Sequence, residues 1–313
     1  MSGRKIWAAH LALLAVLFAL QYILPPYHAT NLARVMVLAL FATGYNLAFG
    51  YTGLLSLGHA LFFAAGMFAA ALPAWHYGLG AGPALLLAVL GGAGMALVTG
   101  LLALRTAGVS FMIVTLMFAK AFHLILIYFN QWTGGDQGFA LPAASRELAG
   151  QALSQDGPRF LVAWTLFSVG LLVCLALVRS RFGRVMVAMR ENEDRSRLLG
   201  YNPYRVKLLV LVISGAYAGL AGGAWAILFG YAGAGFAEIQ YSILPMLYVL
   251  LGGAGVVAGP ILGAAAMFWL VELAAELTSA WLFLVGAALV VLVLFAPKGV
   301  LGWVRARFWR DLP

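Results

Sequence analysis

Apolar residues run along this chain in long blocks, with polar residues confined to the gaps. A helix needs about 20 apolar residues to cross a bilayer core. Ten blocks approach that length: 6–24, 32–49, 54–75, 83–104, 109–129, 160–178, 208–229, 241–251, 256–273 and 280–296. The eighth is short enough to be a half-helix or a re-entrant segment, so the count runs from eight to ten. The blocks are apolar all round, which suits lipid, where every backbone N–H and C=O is satisfied within the span. The pattern predicts an all-α membrane protein, with residues 1–313 forming one transmembrane domain. Turn chemistry marks joints at Pro25-Pro26 and Thr133-Gly134-Gly135-Asp136. Arg4 and Lys5 precede the first block, which is longer than a signal-peptide core and lacks a small-residue cleavage site. It reads as an uncleaved first span.

Composition agrees: 64% of residues are hydrophobic and 9% charged, against about 25% charged in soluble domains. The net charge of +9 raises the question of nucleic acid, but Lys and Arg fall between apolar blocks, not among aromatics on a soluble face. They act as topology signals. With Arg4 and Lys5 inside and ten alternating spans, 15 of the 19 basic residues fall inside, including those of 179–207 and 297–313. Arg146 and Arg159 fall outside, and Arg34 and Lys120 lie within spans. This asymmetry puts both termini, the loop 179–207 and the tail 297–313 in the cytoplasm, and the loop 130–159 on the outer side. The single cysteine, Cys174, sits in an apolar block and forms no intrachain disulfide.

The 37 glycines include small-xxx-small series at Gly215/Gly219/Gly223 and Gly255/Gly259/Gly263. Such spacing lets helices approach closely in lipid. Phe49-Gly50-Tyr51-Thr52-Gly53 recurs as Phe229-Gly230-Tyr231-Ala232-Gly233. On the parity assignment the two copies lie at opposite faces, as in an inverted-repeat transporter bundle.

Catalytic signatures are missing. There is no G-x-x-x-x-G-K-[ST] phosphate loop, no H-E-x-x-H, no C-x-x-C and no G-x-S-x-G. A membrane enzyme would have to work with Lys120, His123 and His59 alone. His59 lacks neighbours at ligand spacing, so a hydrogen-bonded packing or lining role is expected and no metal site is. Lys120 and His123 are i, i+3 within a span, so they line a polar path or pair across helices. Arg34 is expected to snorkel to the outer interface, and Glu272 and Glu276 to sit interfacially. Asn46, Ser56, His59, Lys120 and His123 are the candidates for a translocation path.

The inner loop is the richest segment. Residues 184–199 predict one amphipathic helix with Met186, Met189, Arg190 and Glu193 along one face. Glu191–Arg195 and Glu193–Arg197 are expected i, i+4 pairs. Gly200 stops the helix and Asn202-Pro203 forbids its continuation. The acidic Glu191, Glu193 and Asp194 disfavour an anionic lipid surface, which points to a protein partner.

Several segments carry a resemblance: 50–60 (GYTGLLSLGHA), 111–116 (FMIVTL), 133–136 (TGGD), 180–184 (SRFGR), 190–193 (RENE), 252–255 (GGAG) and 295–299 (FAPKG). In this order, along nearly the whole chain, the sequence resembles the LivM-type permeases of branched-chain amino-acid ABC importers. The resemblance implies a multi-pass protein of the bacterial inner membrane and transport of branched-chain or related amino acids. The implied partners are a homologous second permease, two cytoplasmic ATPase subunits that bind ATP and Mg, and a periplasmic substrate-binding protein. No cofactor is expected in this chain itself. Residues 130–159 become a periplasmic loop, with Thr133, Gly134, Gly135 and Asp136 as docking candidates. The loop 179–207 becomes the coupling loop, with Arg184, Met186, Met189, Arg190, Glu191, Glu193, Asp194 and Gly200 meeting an ATPase. The family's acid-Ala-Ala-x-x-x-Gly pattern keeps Asp194 and Gly200 here, but Arg195 and Ser196 replace the alanines. Gly233-Ala234-Gly235-Phe236 stands where related chains carry Ser-Pro. Permeases of this type for urea, amides or small organic acids, and a stand-alone secondary transporter, remain the alternatives.

Overall fold

The computed structural model describes residues 3–278 together with 280, 283, 284, 286, 287, 290 and 299. The expected tenth span, 280–296, and the tail 297–313 lie outside the described residues apart from those single positions.

Among the described residues there are twelve α-helices: α1 Gly3–Ile23, α2 Pro26–Asn46, α3 His59–Tyr77, α4 Ala81–Ala103, α5 Val109–Tyr128, α6 Asn130–Thr133, α7 Asp156–Arg179, α8 Arg181–Glu191, α9 Glu193–Leu198, α10 Pro203–Phe229, α11 Ile239–Gly252 and α12 Gly259–Leu277. Eight are long and apolar enough to cross a membrane, counting α2 with the π-helical turn Leu47–Tyr51 that extends it. The chain is an all-α membrane protein. The described residues also hold four two-residue strands: β1 Phe139–Ala140, β2 Glu147–Leu148, β3 Gln151–Ala152 and β4 Tyr231–Ala232.

Helices α2, α3 and α10 are the most buried, and α1, α4 and α5 expose most of their length. Close packing around α10 depends on glycine. A side chain on Gly219 would meet the Ala88 carbonyl and stand 2.7 Å from Gly92 Cα, and one on Gly66 would strike Gly219 itself. Backbones of α3, α4 and α10 thus converge at one point, as small-residue packing in lipid allows.

The two faces are distinguishable. Gly50, at the end of α2, accepts a hydrogen bond from Arg190 of α8. Tyr231–Ala232, just past α10, pairs antiparallel with Phe139–Ala140 of the loop 130–159. The two copies of the Phe-Gly-Tyr element therefore lie at opposite faces, one beside 179–207 and the other beside 130–159. That is the relation an inverted repeat requires.

The expected span 54–75 is helical only from His59. Gly53 has φ +73° and residues 53–56 take no helical turn, so an extended stretch carries the chain inward before α3 begins. Helix α11 resolves the doubtful eighth span. Its start lies near His123 of α5, through Ala234 and Glu238, and the segment after it bonds Asn46 at the other face. The segment from Tyr231 to Gly255 enters on one face and leaves on the other, so it is not re-entrant, while α11 itself starts beside the first turn of α3. Fourteen residues give about 21 Å of rise, and the one-turn 3-10 helix Ala234–Ala237 precedes it.

The loop 130–159 is folded. Arg146 donates to the carbonyls of Ile227 and Leu228, both at 2.7 Å, covering the carbonyl end of α10. A guanidinium there satisfies orphan acceptors and complements the negative end of the helix. Burial, and secondarily the charge of Arg159, lowers the pKa of Arg146.

Candidate functional site

A seam of buried polar contacts joins the half containing α2–α5 to the half containing α10–α12. Asn46 donates from Nδ2 to the Val256 carbonyl at 2.9 Å and accepts from the Gly255 N–H at 2.9 Å. Ser214 donates to the Gly44 carbonyl at 2.7 Å and lies 2.8 Å from His59 Nε2. Its single proton is committed to Gly44, so the proton of the imidazole is assigned to Nε2. The Ala60 N–H donates to Ser242 Oγ at 2.9 Å, which ties the first turn of α3 to the first turn of α11. Ser56 accepts from the Gly58 N–H, and its carbonyl accepts from Tyr45. His123 Nδ1 lies 3.0 Å from the Ala234 carbonyl.

Of the candidate path residues, Asn46, Ser56 and His59 are wholly buried and His123 nearly so. They form the seam, and none faces an open channel in this structure. Lys120 departs from the expectation that it shares a surface with His123. It is exposed on the outer side of α5, in the middle of the span, and makes no hydrogen bond or ion pair among the described residues. An i, i+3 spacing leaves about 60° between two side chains, and here the packed face ends within that angle. Asn46→Ala should leave Gly255 N–H and Val256 C=O without their partner. The expected loss is about 1–3 kcal/mol for each group stranded. Thermal unfolding in detergent reads it, and parental stability would show that the seam contributes nothing.

The loop 179–207 differs from the single expected helix. Asn192 adopts φ −160° and ψ 108°, which ends α8, and its side chain accepts from the Arg195 N–H to cap α9. Ser180 caps α8 in the same way through Gly183. The break removes the expected Glu191–Arg195 pair from the ion pairs of the described residues, while Arg197 retains Glu193 at 3.8 Å and Asp194 at 3.6 Å. Lys207 also reaches Glu193. Gly200 takes φ +89° and stops α9, and Asn202 caps α10 with Pro203 in its first turn. Both stop signals behave as expected.

Met186 and Met189 are buried at 0% and 4%, so they seat α8 on the bundle and offer no surface to a partner. Arg190 turns the same way, onto Gly50. The apolar side chains of this loop that protrude furthest are Leu198 and Leu199, at 88% and 71% exposure. Two adjacent leucines before a glycine in a charged segment were the available signal. Arg184, Glu191 and Asp194 are exposed and Glu193 is partly so. A cavity of about 730 Å³ separates α9 and the start of α10 from Leu54, Arg105 and Val109.

On the opposite face, Thr133 is buried and donates to the Leu126 carbonyl at 2.6 Å. Gly134 and Gly135 take φ +70° and +57° in the turn that follows. Those three build the turn, and Asp136 alone of the four is exposed. Among the described residues no three His, Cys, Asp or Glu side chains converge as a metal site would need.

A polytopic helical bundle with a capped helical loop at one face suits a transport permease. Residues 28–295 match the family described as branched-chain amino acid transport system / permease component, and the chain belongs to that family. It is 29% identical over 317 residues to the high-affinity branched-chain amino acid transport system permease protein LivM of Salmonella typhimurium, covering 94% of this chain and 75% of that protein. It is 30% identical over 294 residues to LivM of Escherichia coli K12, covering 86% and 69%. The autoinducer 2 import system permease protein LsrC of Salmonella paratyphi B is 32% identical over 143 residues, covering 42% and 39%. No solved structure matches the chain.

Proposed function

We propose that this chain is one permease subunit of an ATP-driven importer for branched-chain or related amino acids in a bacterial inner membrane. The observation that carries this reading is the likeness to two LivM proteins over most of both chains. On this reading the face bearing 179–207 is cytoplasmic, and Leu198, Leu199 and Asp194 meet a groove on an ATPase subunit. ATP and its Mg are bound there and not by this chain. Asp136 and the folded loop 130–159 receive a periplasmic binding protein loaded with substrate.

The exposed stripe of α5, with Ile113, Met117 and Leu124 around Lys120, faces a homologous second permease. A lysine held against lipid at mid-span costs about 2.5–3.5 kcal/mol, so a neighbouring protein or a wet path is the favourable environment. The path then runs along this stripe. Transport consists of alternating contacts between two global states, biased by ATP at the cytoplasmic face.

The test is reconstitution with both ATPases, the second permease and the binding protein in proteoliposomes. Radiolabelled leucine should accumulate only with ATP, and Lys120→Ala should lower uptake about tenfold, a change of about 1.4 kcal/mol. Equal uptake by this chain alone without ATP would overturn the importer reading.

A further inference from the structure

A second charged locus lies away from the seam, between α2, α11 and α12. Arg34 and Glu272 both line a cavity of about 630 Å³ there, a size typical of small-molecule sites. Among the described residues no ion pair joins them. Glu272 Oε1 accepts from Tyr27 Oη and, at 3.4 Å, from Asn31 Nδ2. Its other oxygen, Oε2, is buried without a hydrogen-bond partner. Arg34 Nε is likewise buried and unpartnered, and its guanidinium lies over the Phe229 ring at 5.5 Å. Arg34 is thus half-buried beside the cavity, with its guanidinium against the last residue of α10.

Two side chains of opposite formal charge line one cavity with no ion pair between them among the described residues. A ligand carrying both charges would meet the two side chains at once through charge-assisted hydrogen bonds. The order of groups along the cavity says what fits. Glu272, held by Tyr27 and Asn31, is at the end nearer the outer face. Arg34 lies between one and two turns deeper on α2, about 10 Å below Tyr27 by helix rise. Leu244, Leu247 and Met267 line the cavity with apolar side chains.

We propose that this cavity binds a zwitterion carrying an apolar tail, with its ammonium on Glu272, its acid group on Arg34 and its tail along Leu244 and Leu247. An aliphatic amino acid and an aminophospholipid of the outer leaflet share that chemistry. The first source rests on the function proposed above, as an outer waiting site for substrate, and the second does not. Neither source requires the seam residues or the coupling loop.

The assembled transporter, as parent, Arg34→Gln, Glu272→Gln and Leu244→Trp, decides it. Tritiated leucine binding is read in phosphatidylglycerol nanodiscs, which contain no zwitterionic lipid. Phosphatidylethanolamine retention is read by native mass spectrometry, and ATP-driven leucine uptake by the parent is read in parallel. The parent should retain one of the two ligands, and each variant should weaken that ligand at least about tenfold, the scale of a lost charge-assisted contact. Loss of leucine binding assigns the substrate, and loss of phosphatidylethanolamine assigns the lipid. A parent that holds neither, or variants that hold either ligand as the parent does, overturns the site. Active uptake with an empty cavity overturns the site alone, whereas a retained lipid without ATP-driven uptake overturns the function and leaves the site standing.

Discussion

Replacing Gly219 with valine is expected to abolish accumulation of folded protein in the membrane. At that position α10 passes between α3 and α4 with backbone against backbone. A Cβ on Gly219 would lie 2.7 Å from Gly92 Cα and 2.9 Å from Gly92 N, besides meeting the Ala88 carbonyl. Overpacking among side chains costs about 1–3 kcal/mol because rotamers shift to absorb it. Here the opposing atoms belong to helices and cannot rotate away, so the cost exceeds about 3 kcal/mol. That is a large share of the roughly 5–15 kcal/mol that holds a native protein together. Gly94, on α4, is the internal control, because a side chain there meets nothing within 4 Å. Gly94→Ala should leave stability unchanged or raise it by about 0.5–1 kcal/mol through helix propensity. Unfolding curves in mixed micelles separate the two. Equal behaviour of both variants would refute backbone convergence as the source of packing.

On the function proposed above, Arg190→Ala is expected to uncouple the importer assembly, with ATP still hydrolysed but uptake per ATP reduced. The guanidinium donates to the Gly50 carbonyl in the turn that ends α2, and Gly53 places its backbone against the Arg190 stem. Gly50 in turn abuts Asn46 and Gly255, the link between the two halves. A push on α8 therefore reaches both halves through one side chain. A hydrogen bond from a charged donor contributes about 1.5–3 kcal/mol, so uptake per ATP should fall about tenfold to a hundredfold. Arg190→Lys should recover part of the loss, since lysine supplies a charge without the planar fork. An unchanged uptake-to-hydrolysis ratio in proteoliposomes would place the linkage elsewhere.

Much of this bundle is legible from hydropathy, because the length of an apolar run directly reports what lipid requires. Hydropathy reports burial and not backbone conformation, however. Leu54, Leu55 and Leu57 thus read as helix although Gly53 turns the chain out of it. The break at Asn192 had a local signal, a cap residue followed by Glu193 and Asp194, but the i, i+4 charge spacing argued for a continuous helix. Periodicity found the apolar face of Met186 and Met189 correctly. It could not say that the bundle itself covers that face, which left Leu198 and Leu199 as the exposed pair. Lys120 and His123 make the same point, since only the neighbouring helices determine which side of α5 is packed. The cavity of Arg34 and Glu272 joins residues 238 positions apart, a distance no local pattern spans.

The cover that Arg146 places over the end of α10 has a mechanical consequence. Helix α10 is 27 residues long, about 40 Å by helix rise, and it is fastened at both ends. At one end Arg146 and the β1–β4 pair clamp it to the loop 130–159. At the other, Lys207 grips Glu193 of α9. One continuous helix thus ties the structured segments of the two faces to each other, with no break in its backbone between them.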